Sequence, residues 1–315
     1  LEKELESFYD LYLKEMYIDV AESMDETYRA FDIQKMGERE IESIGLTGDA
    51  AETYRKAYAT FADRFDELIA NGEHLEWFFF GKQYSMHSLL FETTFRHLVI
   101  ESLILVVLAT AFISTYEFEN RTQLVTYSTK RGRRVMVDKL IASLSTTSIL
   151  TMSLLAITLG TYFVVFDYSD VWRTAISSGF NWDYQFPYVS WWNLSLATYL
   201  TLGIGLLFVC MLLLSVFTFC LSVWLKNSYI TFLLFAIIFI GMLIIQGYIP
   251  GSTNLIFVAG FNLSTLLLNP QQWWMGSSGL TMFKYYELIT MIAWSIIFAI
   301  ICVMSLKQFR KQDIH

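Results

Sequence analysis

The chain has 315 residues, of which 55% are hydrophobic and only 17% are charged. A purely water-soluble protein of this length carries more charge, so the composition excludes that class. Residues 1–96 contain 21 acidic and 10 basic residues, a net charge of −11, whereas residues 97–315 contain 9 acidic and 12 basic residues, a net charge of +3. The sequence therefore predicts an acidic, water-exposed module followed by a lipid-embedded domain.

The first 76 residues have the pattern of an acidic helical module. Leu5, Phe8, Tyr12 and Met16 recur at helical spacing, which predicts an amphipathic helix within residues 1–30. A second helix is predicted from about 49 to 70, with large apolar residues on one face: Tyr54, Tyr58, Phe61, Phe65 and Leu68. We expect a helical hairpin or small bundle whose acidic faces are solvated.

The remaining residues are predicted to form an all-α membrane domain. Residues 77–96 mix aromatic and polar side chains, which predicts an interfacial connecting helix, and the transmembrane domain follows at 97–315. Since a hydrocarbon core of about 30 Å needs about 20 helical residues, five apolar runs are long enough to cross it. These runs are about 97–116, 140–166, 194–225, 229–249 and 286–306. Within a further segment, about 251–270, the apolar stretch 254–268 has only 15 residues and is too short to cross, so we expect this segment to be re-entrant or to lie on the surface.

Basic residues are concentrated on one side of the predicted membrane domain. The loop 117–139 contains six Lys or Arg, and the C-terminal tail contains three, whereas the loops 167–193 and 250–285 contain one each. By the positive-inside rule, the first set faces the cytoplasm and the N-terminal module lies outside a cell membrane. Five spans with an external start and a cytoplasmic end predict a sixth span upstream of residue 1.

The sequence lacks the motifs of several enzyme classes. It contains no phosphate-binding loop, HExxH, GxSxG or CxxC motif. Its four histidines are not spaced as metal ligands, and its three cysteines all lie within apolar runs. We therefore expect no catalytic residue, no metal site and no cofactor in this chain.

The most informative segment joins the first two visible spans. Glu117 and Glu119 lie at the end of one span, and a short amphipathic stretch then leads to Ser128 and Thr129. A basic segment that ends at Lys139 leads into the next span. This order resembles the membrane subunits of type-2 ABC exporters, in which an acidic span end precedes Ser-Thr-Pro-like residues, an Arg and a Lys. Two further features also resemble a subset of that family: the half-helices before the last span, and the large external insert between the predicted upstream span and the span at 97–116.

The resemblance implies which residues couple the chain to an ATPase, although Lys130 replaces the family's usual proline. The implied coupling residues are Glu117, Glu119, Arg121, Ser128, Thr129, Arg131, Arg133, Arg134 and Lys139. ATP and Mg²⁺ then bind a separate cytoplasmic ATPase, because this chain has no nucleotide motif. The other implied partners are a second permease subunit, identical or paralogous, and membrane lipid, with no nucleic acid.

Two polar residues at membrane depth are candidates for a translocation path. Glu101 lies about one turn inside the first visible span, where it either faces a wet path or snorkels to the interface, and Gln246 lies near the outer end of another span. The resemblance implies export of a hydrophobic or amphipathic peptide, antibiotic or lipid-like compound, as in bacterial resistance. The alternative is a membrane receptor or scaffold that senses an external ligand through the acidic module. A further interpretation is that the basic loop only fixes the orientation of the spans in the membrane and contacts anionic lipid.

Overall fold

The computed structural model describes residues 2–76, 88–129, 132–183, 186–276 and 278–311. These residues are predominantly α-helical, and five of the helices they form are long and apolar enough to cross a membrane. The sequence-based prediction of fold class is therefore confirmed: the chain is an all-α, multi-pass membrane protein.

Three helices form the N-terminal module: α1 (Glu2–Arg29), α2 (Ile33–Ile44) and α3 (Gly48–Asn71). The sequence pattern predicted α1 and α3 but missed α2, whose N-cap Asp32 accepts a hydrogen bond from the backbone of Lys35. The chain leaves α3 at Gly72, which adopts the left-handed conformation that favours glycine, and continues into a 3-10 turn, Glu73–Leu75.

The module is built around the apolar face of α3. All five large side chains predicted on that face are buried. Near the C-terminal end of α1, Met24 and Tyr28 are buried, whereas Phe8, Tyr12 and Met16 are exposed and the side chain of Leu5 lies outside the described residues. The periodicity of α1 therefore predicted the helix correctly, although three residues of its predicted apolar face are exposed.

The described residues after the module form eight helices. They are α4 (Phe95–Glu119, preceded by a π-helical turn Leu89–Thr94), α5 (Gln123–Ser128), α6 (Val135–Val165), α7 (Leu196–Leu225), α8 (Ser228–Ile244, continued by a 3-10 turn Ile245–Tyr248), α9 (Leu255–Gly260), α10 (Leu263–Leu267) and α11 (Tyr286–Lys311). Of the predicted connecting helix 77–96, residues 77–87 lie outside the described residues, and residues 88–96 are helical and continuous with α4.

Helices α4 and α7 lie at the centre of the membrane domain, and each is buried over more than half of its apolar length. Helices α6, α8 and α11 surround them and expose aliphatic side chains such as Ile149, Ile237 and Ile292. The hydroxyls of Thr110 and Ser215 bond across the α4–α7 interface at 2.9 Å. Outward aliphatic faces around a core with buried hydroxyls are the arrangement expected in lipid.

The two ends of the helix bundle differ in character. The basic end contains residues 120–129 and 132–134, the turn at 226–227 and the end of α11. The module end contains the N-terminal module and the described parts of the loops 166–195 and 249–285, the first of which includes a short antiparallel pair of strands, Trp182–Asp183 and Phe186–Pro187. The predicted segment 251–270 contains α9 and α10, neither of which is long enough to cross a membrane.

Candidate functional site

The predicted coupling segment, residues 117–139, contains the short helix α5 at the basic end. Arg121, which precedes α5, adopts a left-handed conformation with φ 58°. The buried ring of Tyr127 packs against Phe309 of α11 and Phe118 of α4, with ring centroids 5.3 and 5.9 Å apart. Burial raises the pKa of Tyr127 to about 12, so its phenol is neutral at physiological pH. Helix α5 is thus fixed to α11 as well as joined to α4.

The predicted Ser-Thr pair ends α5. The Ser128 hydroxyl donates to the Val125 carbonyl at 2.9 Å, and the Thr129 hydroxyl donates to the Thr126 carbonyl at 2.8 Å. Both side chains belong to exposed residues. The last carbonyls of a helix have no intrahelical partner, and these two hydroxyls satisfy two carbonyls in the last turn of α5.

Helix α5 exposes two apolar side chains, and exposed basic residues lie before and after it in the sequence. Leu124 and Val125 are 57% and 72% exposed. Arg121 and Arg134, on either side of α5 in the sequence, are also exposed. Of the other predicted coupling residues, Arg131 and the side chain of Arg133 lie outside the described residues. The segment therefore presents an apolar pair flanked by basic residues.

Glu117 and Lys139 join α4 to α6. The Lys139 side chain is buried, and its ammonium donates to the Ser114 carbonyl at 2.9 Å and forms a close ion pair with the Glu117 carboxylate. A buried ion pair persists only when both charges are compensated, as they are in this pair. These two predicted coupling residues therefore bond to each other.

Glu119 joins α4 to α8. Its carboxylate accepts a hydrogen bond from the backbone N–H of Ser228 at 2.6 Å and another from the Thr115 hydroxyl at 3.3 Å. Ser228 is the first residue of α8, and a negative charge at a helix N-terminus is stabilised by the helix dipole. Three predicted coupling residues thus hold the basic ends of α4, α6 and α8 together.

The two predicted path residues lie in separate places. Glu101 is exposed on a face of α4 that also carries Ile104, Leu108 and Phe112, all of them exposed. Gln246 lies in the 3-10 turn after α8 and lines a cavity of about 210 Å³ at the module end. Glu101 is absent from the described lining of that cavity, so the structure does not combine the two residues into one site.

Glu40 fixes the module to the loop that precedes α11. Its carboxylate accepts hydrogen bonds from the Tyr54 hydroxyl at 2.8 Å, from the Tyr58 hydroxyl and from the backbone N–H of Gly279 at 2.9 Å. Burial first, and then the nearby Glu40 charge, raises the pKa of each tyrosine above the ordinary value for a phenol. Sequence reasoning missed Glu40 because it lies in the unpredicted helix α2.

A buried ion pair fixes the module to the loop 166–195. The Arg64 guanidinium bonds to both oxygens of Glu73 at 3.0 and 2.6 Å, and its Nε donates to the Ser190 carbonyl at 3.0 Å. The ring of Phe61 packs against Trp191 beside this pair, with ring centroids 5.1 Å apart. The module and the two loops of the module end therefore form one packed unit.

The stability of the module is expected to depend on pH through Asp25. It accepts a hydrogen bond from Arg29 at 2.9 Å and lies 3.0 Å from Nε2 of the buried His74. The Arg29 bond first, and then the His74 bond, hold its pKa below the ordinary 3.8. A carboxyl with a lowered pKa stabilises the fold above its unfolded-state pKa and loses that contribution as the pH falls through its folded-state pKa.

We therefore expect Asp25→Asn to lower the thermal midpoint of unfolding at pH 7. The gap between the wild type and the variant should shrink as the pH falls below 3.8. Thermal unfolding of the full chain in nanodiscs, followed by tryptophan fluorescence across a pH series, measures this gap. A gap that widens toward acid pH would contradict the prediction.

Within the described residues, no three His, Cys, Asp or Glu side chains are grouped closely enough to hold a metal ion. Comparisons with family models, curated proteins and solved structures return no match, so the chain's own residues carry the functional argument.

Proposed function

We propose that the chain is the permease subunit of an ATP-driven exporter that resembles type-2 ABC exporters. The observation that carries this proposal is the outward face of α5, where Leu124 and Val125 are exposed on a helix fixed from behind by Tyr127. An exposed apolar pair with basic flanks on a firmly held helix favours a docked protein. In this proposal the docked protein is an ATPase that binds ATP and Mg²⁺.

The contacts behind α5 support a route from the ATPase to the spans. Tyr127 packs on α11, the Glu117–Lys139 pair joins α4 to α6, and Glu119 joins α4 to α8. Because α5 follows α4 directly, displacement of α5 moves the basic ends of four spans. ATP-driven closure of the partner would thus shift the bundle between two states through differential binding.

The proposal includes an orientation and a substrate class. The basic end faces the cytoplasm and the module lies outside a cell membrane, because basic loops are retained inside. The exposed carboxylate of Glu101 on an apolar face favours a neighbouring permease subunit and a wet path over bare lipid. The proposed substrate is a hydrophobic or amphipathic peptide, antibiotic or lipid-like compound that moves along that path.

Substitution of Val125 tests the proposed docking surface. We expect Val125→Asp to lower ATP turnover of the assembled complex by about tenfold or more, because burial of an unpaired charge disfavours docking by several kcal/mol. The assay is ATP hydrolysis by the complex purified through a tag on this chain and reconstituted in nanodiscs.

Val165→Asp is the matched control. Val165 is equally exposed (73%, against 72% for Val125) but is the last residue of α6, at the end of the bundle opposite α5. It should leave ATP turnover unchanged. A purified complex without ATP turnover, or turnover insensitive to Val125→Asp, would falsify the proposed function.

A receptor or scaffold is the second candidate, and one observation favours it. Glu40 and Arg64 connect the module directly to the loops that lead into α11 and α7. A ligand on the module would therefore act on two spans. A stable kinase partner in place of an ATPase with a phosphate-binding loop would support this candidate over export.

A further inference from the structure

The cavity of about 210 Å³ at the module end has features of a ligand site. Its walls come from the 3-10 turn after α8 and from residues 265–273 and 278–286. Trp273 and Leu280 line it with apolar surface, and none of its described lining residues is charged. A largely apolar cavity with a few polar groups is the usual form of a binding site for small groups.

Three carboxamides line this cavity: those of Gln246, Asn269 and Gln272. Within the described part of the chain, none of the three side chains forms a hydrogen bond. The neighbouring Asn262 differs, because its amide donates to two carbonyls and to the Thr265 hydroxyl while its oxygen accepts from a backbone N–H. Asn262 is thus saturated, whereas the amides of the cavity keep their donors and acceptors for another molecule.

The walls of the cavity are held in place before any ligand binds. The Ser278 backbone N–H donates to the Thr281 hydroxyl, which in turn donates to the Ser278 carbonyl at 2.7 Å. Gly279 is fixed from the module side by Glu40. A Cβ at Gly260 would lie 2.8 Å from the Gln246 amide nitrogen, so glycine leaves room for that carboxamide.

We propose that this cavity binds an uncharged segment of a peptide through its main-chain amides. A carboxamide presents a donor and an acceptor in one plane, as a peptide unit does, so the two groups can pair. The lack of charged lining residues disfavours phosphate headgroups and carboxylates, which need a cationic partner once desolvated. Trp273 is buried and its Nε1 already donates to the Leu266 carbonyl at 2.7 Å, so the indole nitrogen is not available to a sugar hydroxyl.

The volume limits the bound segment to one or two residues. The cavity holds about seven water molecules at their share of liquid volume, which is less than a drug-sized ligand needs. The rest of the peptide therefore lies outside the cavity, past the exposed Asn269. Binding requires no nucleotide, so this site can be tested separately from the proposed ATP-driven export.

The experiment titrates the full chain in nanodiscs with the neutral peptide N-acetyl-Gly-Leu-Gly-amide, without nucleotide, and measures binding by saturation-transfer NMR. We expect Gln246→Met/Gln272→Met to raise the Kd about tenfold or more, because neutral hydrogen bonds are lost at nearly constant side-chain volume. Asn269→Leu, at an exposed position, should raise the Kd in the same direction.

Gln34→Met makes the same chemical change at an exposed position of the module and should leave the Kd unchanged. Unfolding midpoints equal to that of the wild type identify folded variants, and Asn269→Leu decides the result if the double variant fails to fold. An unchanged Kd in the folded cavity variants overturns the proposal. Tighter binding of maltose, or of a peptide with glutamates in place of the glycines, overturns the assignment to neutral peptides.

Discussion

Replacing Arg64 by alanine is expected to destabilise the protein by about 3–5 kcal/mol, because removal of one member of a buried ion pair leaves the other charge uncompensated. Arg64 and Glu73 are both buried, and Arg64 is also the donor to the Ser190 carbonyl. The variant therefore loses the ion pair and one contact between the module and the loop 166–195. Reversible unfolding of the full chain in mixed micelles, by denaturant titration, measures the change in unfolding free energy.

Arg55→Ala is the matched control on the same helix. Arg55 bonds to Glu38, and both side chains are 50% exposed. Exposed ion pairs contribute about 0–1 kcal/mol, so this variant should remain close to the wild type. The double variant Arg64→Leu/Glu73→Leu removes both charges and should be more stable than Arg64→Ala. Equal losses for Arg64→Ala and Arg55→Ala would show that the buried pair has no special role.

The lengths of the apolar runs and the periodicity of apolar residues were enough to predict the spanning helices and the buried face of α3. An apolar run of about 20 residues is rare in soluble proteins, so the five spanning helices could be predicted from the lengths of the apolar runs. On α3, the apolar face from Tyr54 to Leu68 defined the side that packs. Arg64 lies three residues after Phe61 and four before Leu68, so the same periodicity could have identified it as a buried arginine.

Contacts between residues that are far apart in the sequence could not be predicted. Glu40 and the backbone of Gly279 are 239 positions apart, and Arg64 reaches Ser190 across 126 positions. No local pattern encodes such contacts, because they depend on how complete helices pack. Helix α2 was missed although its local signals are present: Asp32 caps its first turn, Gly45 ends it in the left-handed conformation, and Ile33 and Ile41 are buried on one face.

The predicted coupling residues show what a motif can and cannot define. The acid-then-base order of residues 117–139 identified a segment that the structure places at one end of the bundle. It did not show that Glu117 and Lys139, 22 positions apart, bond to each other, or that Glu119 bonds to α8. Leu124 and Val125, which carry the proposed docking surface, lie within the predicted amphipathic stretch but were not singled out, because a stretch of six residues is too short to show which face is exposed.

Removal of the Lys139 charge is expected to have the largest effect at the basic end. Lys139→Met leaves Glu117 partly buried without its partner, so we expect a loss of about 3–5 kcal/mol in unfolding free energy. Lys226→Met is the control, because Lys226 is an exposed residue at the same end. Its Nζ lies 5.4 Å from the ring of Phe118, a contact expected to contribute about 0.5–1 kcal/mol. Both values come from the same denaturant titration.

The double variant Glu117→Gln/Lys139→Met separates a structural role from a coupling role. With both charges removed, no buried charge lacks a partner, and stability should recover to within about 1–2 kcal/mol of the wild type. If the pair only stabilises the bundle, ATP turnover of the reconstituted complex recovers with stability. Under the proposed function the pair also transmits displacement of α5 from α4 to α6, so we expect turnover in the double variant to stay low although the fold is restored. Full recovery of turnover would restrict the pair to a structural role.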